Sequence, residues 1–286
     1  MSRNKDRLGQ RSSPTGGNPV GSPTLGGSDG PLIFETPSEF VDLPTRGIFY
    51  PPDHPLHKVE QVEIKHMTAK EEDILASKSL LKKGVAIDRF LQSVIKDRNI
   101  DVNDLYVGDR NAILIAARIT GYGEEYTTQI TCPNCITVNK FSFDLGIQKI
   151  TEGVTPEDTD VKITEKGTLL LHLPVMKVDI ELRMLTGKTE SYLTRLSLSK
   201  KGKDKVDSSL TDMMKTIIVS VSGRTDSTTI ESLVNHLPAR DSQYLRKIYA
   251  KSVPNVSLRQ NFECSSCSLE DEMEVPLNAE FFWPKQ

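Results

Sequence analysis

The chain has 286 residues, enough to bury one large core or two ordinary ones. Its 36 Lys and Arg against 39 Asp and Glu give a formal charge of -3, which excludes the overall cationic field that gathers nucleic acid or anionic lipid. No stretch approaches the roughly 18 to 20 apolar residues of a membrane span, and no apolar segment follows the basic residues Arg3, Lys5, Arg7 and Arg11 to make a secretory signal. A reducing cytoplasm is the expected compartment.

From Met1 to about Gly30 the composition is Gly, Ser, Pro, Asn and Thr, too poor in apolar matter to offset the entropy of ordering it, and a disordered tail is expected. An extended segment, Phe34 to Leu43, leads into a clasp, Leu43 to Pro51, where prolines and a glycine impose turns between apolar residues. Ile48, Phe49 and Tyr50 sit among those turn formers and read as exposed anchors for a partner, with packing back onto the helix from Ala69 as the other reading. His54 and His57 in the Pro-rich loop beyond read as surface residues. Val59 to Met67 has the alternation of a strand with one buried face.

Thr68 with Glu71 is a capping-box pattern, and Ile74, Leu75, Leu80 and Leu81 predict a helix from about Ala69 to Lys82, stopped by Gly84. Ile87, Phe90, Leu91, Val94 and Ile95 make a second helical stripe, and Asp109 to Ile119 a third that ends at Gly121 and Gly123. The period then changes to two: Tyr126, Thr128 and Ile130 enter Cys132, and Val138, Phe141 and Phe143 leave Cys135, predicting a hairpin with Cys-Pro-Asn-Cys at its turn. Val161 to Leu185 reads as β with a turn at Lys166-Gly167. Helices are expected near Thr189 to Ser197 and from Pro238, and Leu210 to Val221 is a further apolar helix or strand. After Pro254 the chain alternates into Cys264 and out of Cys267, so the two halves close alike on a knuckle. The fold class is α+β: helical segments with antiparallel β-hairpins and a discontinuous, zinc-ribbon-like pair of knuckles carrying the four cysteines.

All four cysteines lie in two Cys-x-x-Cys units, and in a reducing compartment such units bind metal or do redox work more often than they form disulfides. A tetrahedral Zn2+ takes four thiolates, and each unit fills half the shell, so Cys132, Cys135, Cys264 and Cys267 are the candidate ligands of one structural zinc. Pro133 stiffens the first knuckle, and Ser265-Ser266 offers donors to the thiolates of the second. Two other readings stand beside zinc: four thiols left from a lost site, and thiol redox. Against redox, a reactive Cys-x-x-Cys normally opens a helix after a strand, and both units here lie between strands. Thr186-Gly187-Lys188-Thr189 looks like the end of a phosphate loop, but Leu182 stands where the upstream glycine belongs. No catalytic residue is proposed, and the chain reads as a non-enzyme.

Several segments carry a family pattern: Val41-Asp42-Leu43-Pro44 with Gly47 and Tyr50-Pro51, Met67 to Leu75, and Leu80 to Asp88. So do Gly108-Asp109-Arg110-Asn111 followed by Ala116 to Gly123, and Leu237 to Arg246 before the second Cys pair. In this order, with the two Cys-x-x-Cys units, they resemble the baseplate hub proteins of T4-type tailed bacteriophages. The resemblance implies residues 31–286 as one hub-like domain after the tail of residues 1–30. Its parts are a helical stretch at about 68–121, a knuckle at 126–145, a middle β/α part at 161–253 and a second knuckle at 256–278. It further implies a structural or chaperone-like assembly role in the central hub of a contractile tail, as a late protein acting in the host cytoplasm with other tail and hub proteins as partners. A zinc-ribbon nucleic-acid binder is the alternative, but Glu263, Glu270, Asp271, Glu272 and Glu274 around the second knuckle repel phosphate, so no nucleic-acid partner is expected.

Overall fold

The computed structural model describes residues 34–151, 153, 161–200, 208–275, 277 and 281–282. The expected tail of residues 1–30 and, after Lys200, the rest of the lysine run at 200–205, which reads in sequence as a solvated loop, lie outside the described residues. The rest is α+β, with eight helices and five antiparallel sheets among the described residues.

The N-terminal strands β1 (Ser38–Asp42) and β2 (Gln61–Lys65) pair in register, Val41 opposite Val62. The predicted helix from Ala69 is two helices, α1 (Ala69–Ala76) and α2 (Lys78–Lys83), because Ser77 takes an extended ψ of 107° that breaks the ladder. Gly84, at φ 70°, ends α2 in the left-handed conformation that glycine adopts without steric cost. Helix α3 (Ala86–Val94) buries Phe90, Leu91 and Val94 on the expected stripe, and α4 (Val107–Tyr122) buries nine of its residues, which makes it the central helix. Beyond it β3 (Glu125–Thr131) and β4 (Val138–Asp144) form the first knuckle hairpin.

A short strand β5 (Lys149–Thr151) leads to the middle unit, the sheet β6 (Val161–Ile163), β7 (Leu169–His172), β8 (Asp179–Leu182) and β9 (Ile218–Val221), paired in that order. Between β8 and β9 run α5 (Gly187–Lys200) and α6 (Ser209–Ile217), so the segment read as helix or strand is both, switching at Ile218. Helix α7 (Ser227–His236), which hydrophobic periodicity did not single out, starts where Asp226 accepts the Thr229 amide (2.7 Å). Helix α8 (Ala239–Ser252) follows Pro238, and the chain returns through β10 (Asn255–Ser257), which pairs with β5, to the second knuckle hairpin, β11 (Arg259–Glu263) and β12 (Glu270–Glu274).

Two hydrophobic cores result. The first gathers both ends of the described chain: Val62 and Ile64 of β2, Phe90 of α3, Ile113 of α4, Tyr126 and Phe143 of the first hairpin, and Phe281 and Phe282. Phe282 lies 4.8 Å from Phe90 and Phe281 lies 5.1 Å from Tyr126, ring centre to ring centre. The second core is contiguous in sequence apart from Phe49: Leu169, Leu171, Ile180 and Leu182 of the sheet meet Met214, Leu233 and Leu245 of the helices. Each such side chain contributes about 1.5 to 3 kcal/mol by leaving water.

The clasp joins the two cores, and here the expectation of exposed anchors needs correction. Phe49 and Tyr50 are each only 2% exposed, whereas Ile48 is 54% exposed. Phe49 enters the second core and Tyr50 the first. The reason is a buried carboxylate. Asp109, third residue of α4, accepts the Thr45 amide (3.0 Å), the Thr45 hydroxyl (2.7 Å) and the Tyr50 hydroxyl (2.8 Å). Tyr106 donates its hydroxyl to the Phe49 carbonyl (2.8 Å), and Gly167 backs onto the same carbonyl so closely that a Cβ there would lie 2.1 Å from the oxygen. His54 stacks on the Tyr50 ring at 4.4 Å and His57 Nδ1 lies 2.6 Å from the Tyr50 carbonyl, so both histidines are half-buried supports of the clasp rather than surface residues.

Two more helices use the third-residue device. Glu71, third in α1, takes the Thr68 amide (3.1 Å), the Lys65 ammonium (2.7 Å) and the Ser93 hydroxyl (2.5 Å). Asp241, third in α8, accepts the amides of Val175 and Met176, both at 2.9 Å, from the β7–β8 turn. All three carboxylates are fully buried, and all three lie where a helix's free amides and dipole favour negative charge.

Candidate metal centre

The two hairpins converge so that the four cysteine Sγ atoms lie within 4.8 Å of one another. Cys132 is 3.7 Å from Cys267 and Cys135 is 3.6 Å from Cys264, so each contact crosses from one knuckle to the other. A tetrahedron with Zn–S bonds of about 2.3 Å has edges of about 3.8 Å. The cluster therefore has the dimensions of a four-sulfur metal shell, and the sulfurs are close enough to bind one ion.

The knuckles are built alike. In each, the amide of the first cysteine donates to the carbonyl five residues on, Thr137 or Leu269, at 2.9 Å. The amide four residues on, Ile136 or Ser268, donates back to the first cysteine's carbonyl at 3.0 and 2.9 Å. Closing so tight a turn forces Ile136 to φ 60° and Ser268 to φ 51°, left-handed values that are an outlier for a β-branched residue such as Ile136. The first cysteine of each pair is buried, Cys132 at 0% and Cys264 at 1% exposure, while Cys135 and Cys267 are half-buried. Phe262 and, beside it, Phe141 close the apolar side, their rings meeting edge to face at 5.6 Å.

The electrostatics favour anionic sulfur at Cys135 and Cys264. The amides of Ser266 and Cys267 hold the Cys264 thiol down to about 6 against the effect of burial. Thr137, whose hydroxyl is 3.3 Å from the sulfur, holds Cys135 below its ordinary value. At Cys132 the Cys135 amide pulls down, yet burial and the neighbouring sulfurs outweigh it and push the thiol up to about 11. Four sulfurs at this separation cannot all ionise unless a cation sits among them.

One polar residue ties the knuckles together and was not singled out by sequence. Asn139, buried, accepts the amide and hydroxyl of Ser265 (3.1 and 2.6 Å) and directs its own amide group at the Thr137 carbonyl (3.0 Å) and Cys264 Sγ (3.5 Å). Its counterpart in the outer layer, Asn134, donates to Cys267 Sγ at 3.6 Å. The signal was parity: Phe141 and Phe143 face inward on β4, so Asn139 does too, and Val138 is the outward residue at 58% exposure. Of the two serines expected to serve the sulfurs, Ser265 spends its hydroxyl on Asn139, and the amide of Ser266 serves Cys264.

The phosphate-loop look-alike is closed off. At the start of α5 the amides of Gly187 and Lys188 donate to the Leu105 and Asn103 carbonyls (3.0 and 2.9 Å), and Thr186 and Thr189 cap each other, so the turn is spent on holding α5 against the loop before α4.

The fold and the site together define an α+β protein in which two hairpins remote in sequence meet on a cluster of four thiols. A family model described as T4 bacteriophage base plate protein matches residues 52–283, most of the chain, and the chain belongs to that family. It is thus a phage baseplate protein with a structural role among other tail proteins. No curated protein and no solved structure matches it. No helix among the described residues is long and apolar enough to cross a membrane.

Proposed function

We propose that the protein is a structural or chaperone-like assembly component of the central baseplate hub of a contractile tail, and that Cys132, Cys135, Cys264 and Cys267 hold a structural Zn2+. The observation that carries the reading is the cluster itself: four thiols from two remote hairpins lie within 4.8 Å of one another, enough to fill a four-coordinate shell and leave no position for water or substrate. Bound there, the ion would supply charge neutralisation and a fixed crosslink, not chemistry. The residues of the chain do the rest: Asn139 sets the two knuckles against each other, and the amides of Ser266 and Cys267 favour the anionic form of Cys264. The resemblance of the clasp, α4 and α8 segments to hub proteins supports the hub over other parts of the baseplate. Assembly in the host cytoplasm follows from that role, since thiolates must stay reduced until they are metallated. Ile48 is the clasp residue left open to a partner. The exposed acidic residues of the β11–β12 hairpin weigh against the nucleic-acid reading.

Two measurements test this. Reduced, purified protein should carry about one zinc per chain and unfold on chelation; folded protein without metal refutes the zinc assignment. Mass spectrometry of infected-cell lysate should find the chain bound to hub proteins; its absence from every hub complex refutes the assembly role.

A further inference from the structure

Outside the thiol cluster, a cationic cleft of about 690 Å³ lies between α5 and α6. Its cations are Arg183, Lys188, Arg195 and Lys215, set among Tyr192 and Thr189. Asp212 is the one carboxylate on its wall, and it takes the Ser208 hydroxyl at 2.9 Å. Lys215 is paired with Glu231 at 2.6 Å, but Arg183, Lys188 and Arg195 have no carboxylate partner among the described residues. Arg183 Nε donates to the Thr216 carbonyl (2.7 Å), which fixes the guanidinium at the cleft wall. Three cations without a paired carboxylate in one hollow of a chain with net charge -3 point to an anionic occupant.

The complementary surface is on the same molecule. On the β11–β12 hairpin, Glu263, Glu270, Asp271, Glu272 and Glu274 are all exposed, against Arg259 on the hairpin and Lys149 beside it. Glu263 stands directly opposite Glu270 in the register, a cross-strand pairing of like charges that costs stability until a cation arrives. The chain cannot bring its own two surfaces together. The cleft adjoins the N-terminal end of α4, where Tyr106 bridges to Thr186. Strand β10 runs along α4 from beside Gly108, and β11 continues past the other end. The 16 residues of α4 put about 24 Å between them.

We infer that the cationic α5–α6 cleft receives the acidic β11–β12 hairpin of a second copy of this chain, joining copies head to tail. Such a contact uses different surfaces on its two sides, so it closes into a ring or extends as a filament according to the rotation between neighbours. It does not depend on which ion the thiols hold, since the acidic side chains are not ligands.

The test is sedimentation of the full metallated chain over a range of concentration and salt. Association is expected at low ionic strength, weakening by about tenfold or more as salt shortens the screening length. The cleft variant Arg183→Glu/Lys188→Glu/Arg195→Glu and the hairpin variant Glu270→Lys/Asp271→Lys/Glu272→Lys should each stay monomeric alone. Mixed, they should associate again, because the reversed cleft now fits the reversed hairpin; misfolded chains could not give this rescue. Metal content should be unchanged in both. A wild-type chain that stays monomeric at low salt overturns the inference, as does association that survives both reversals or a mixture that fails to recover. Tight binding of a short DNA duplex that the cleft variant alone loses would reassign the cleft to nucleic acid and also overturn it.

Discussion

Two kinds of long-range tie hold this molecule, and they sit at opposite ends of α4. At its start, Asp109 gathers the clasp across 64 residues with three donors and no ion. Past its end, the thiols gather two hairpins across 129 and 135 residues, and there the four sulfurs offer one another only acceptors or weak donors. The difference is chemical. A carboxylate is anionic at neutral pH and needs only hydrogen-bond donors, which a helix start and a neighbouring loop supply at a fixed distance. Thiolates packed sulfur to sulfur repel, so the same tie needs a cation. The carboxylate tie is complete on translation and folding; the thiol tie depends on supply.

Cutting the thiol tie should cost the most. Replacing Cys264 and Cys267 by serine removes half the ligands, and the expected loss is most of the metal-coupled stabilisation, of order 10 kcal/mol in apparent terms for a structural zinc. Loss of bound metal by elemental analysis, with the melting transition of the first core falling or vanishing, checks it. An unchanged transition would make the hairpins independent of the ion.

Asp109→Ala should come next. It leaves the Thr45 amide and hydroxyl and the Tyr50 hydroxyl buried without an acceptor, a cost of roughly 3 to 5 kcal/mol read from denaturant midpoints. Metal content should stay at its wild-type value, which separates the two ties. Ile48→Ser, on the open side of the same clasp, should change stability by less than about 0.5 kcal/mol.

Glu71 probes the carboxylate device through pH. Burial pushes its carboxyl up, but hydrogen bonds from Lys65, Ser93 and Thr68 outweigh burial and hold it down at about 2, against an ordinary 4.5. Because the folded value is the depressed one, its contribution is fully present above about 4.5 and is lost as pH falls toward about 2. The stability gap between wild type and Glu71→Gln, measured by denaturant titration, should therefore be widest near neutrality and narrow through that window. A gap that grows on acidification would mean that Glu71 is protonated in the fold.

The smallest effect is a gain. Ile136 is 69% exposed and held at φ 60°, so Ile136→Gly relieves backbone strain without losing packing and should stabilise the first knuckle by up to about 1 kcal/mol, offset in part by glycine's greater freedom when unfolded. Thermal melts of the metallated chain read the difference. Ser268→Gly at the matching position should give less, as serine carries no β-branch.

What could be read from sequence follows the range of the forces involved. The α4 stripe, the knuckle hairpins and the Leu169, Leu171, Leu173 alternation are local patterns, and the structure buries those three leucines at 0%, 3% and 0% exposure. The thiol cluster was legible over a long separation because Cys-x-x-Cys is a chemical pattern with few uses. The orientation of Phe49 and Tyr50 was not, since it is decided by Asp109 and Tyr106, 56 to 59 residues away, and an aspartate in a helix's first turn reads as an ordinary solvated end. Ser77 gave no sign of the break between α1 and α2, whereas α7 had its sign in Asp226, a capping residue that apolar spacing alone overlooks.

The separation of the knuckles also sets an order of events on the ribosome. The sheet of β6–β9 with α6–α8 spans residues 161–252 and can pack once those residues emerge. The first core waits for Val256, Leu258, Phe281 and Phe282, and a chain interrupted before Cys264 carries two thiols instead of four. Domains fold as units during synthesis at about 5 to 20 residues per second, so the thiol cluster is completed only after the second core. On the proposed metal reading, capture of the ion would report that translation has reached the second hairpin, and a polypeptide interrupted before it would be left with an open core that cellular proteases recognise.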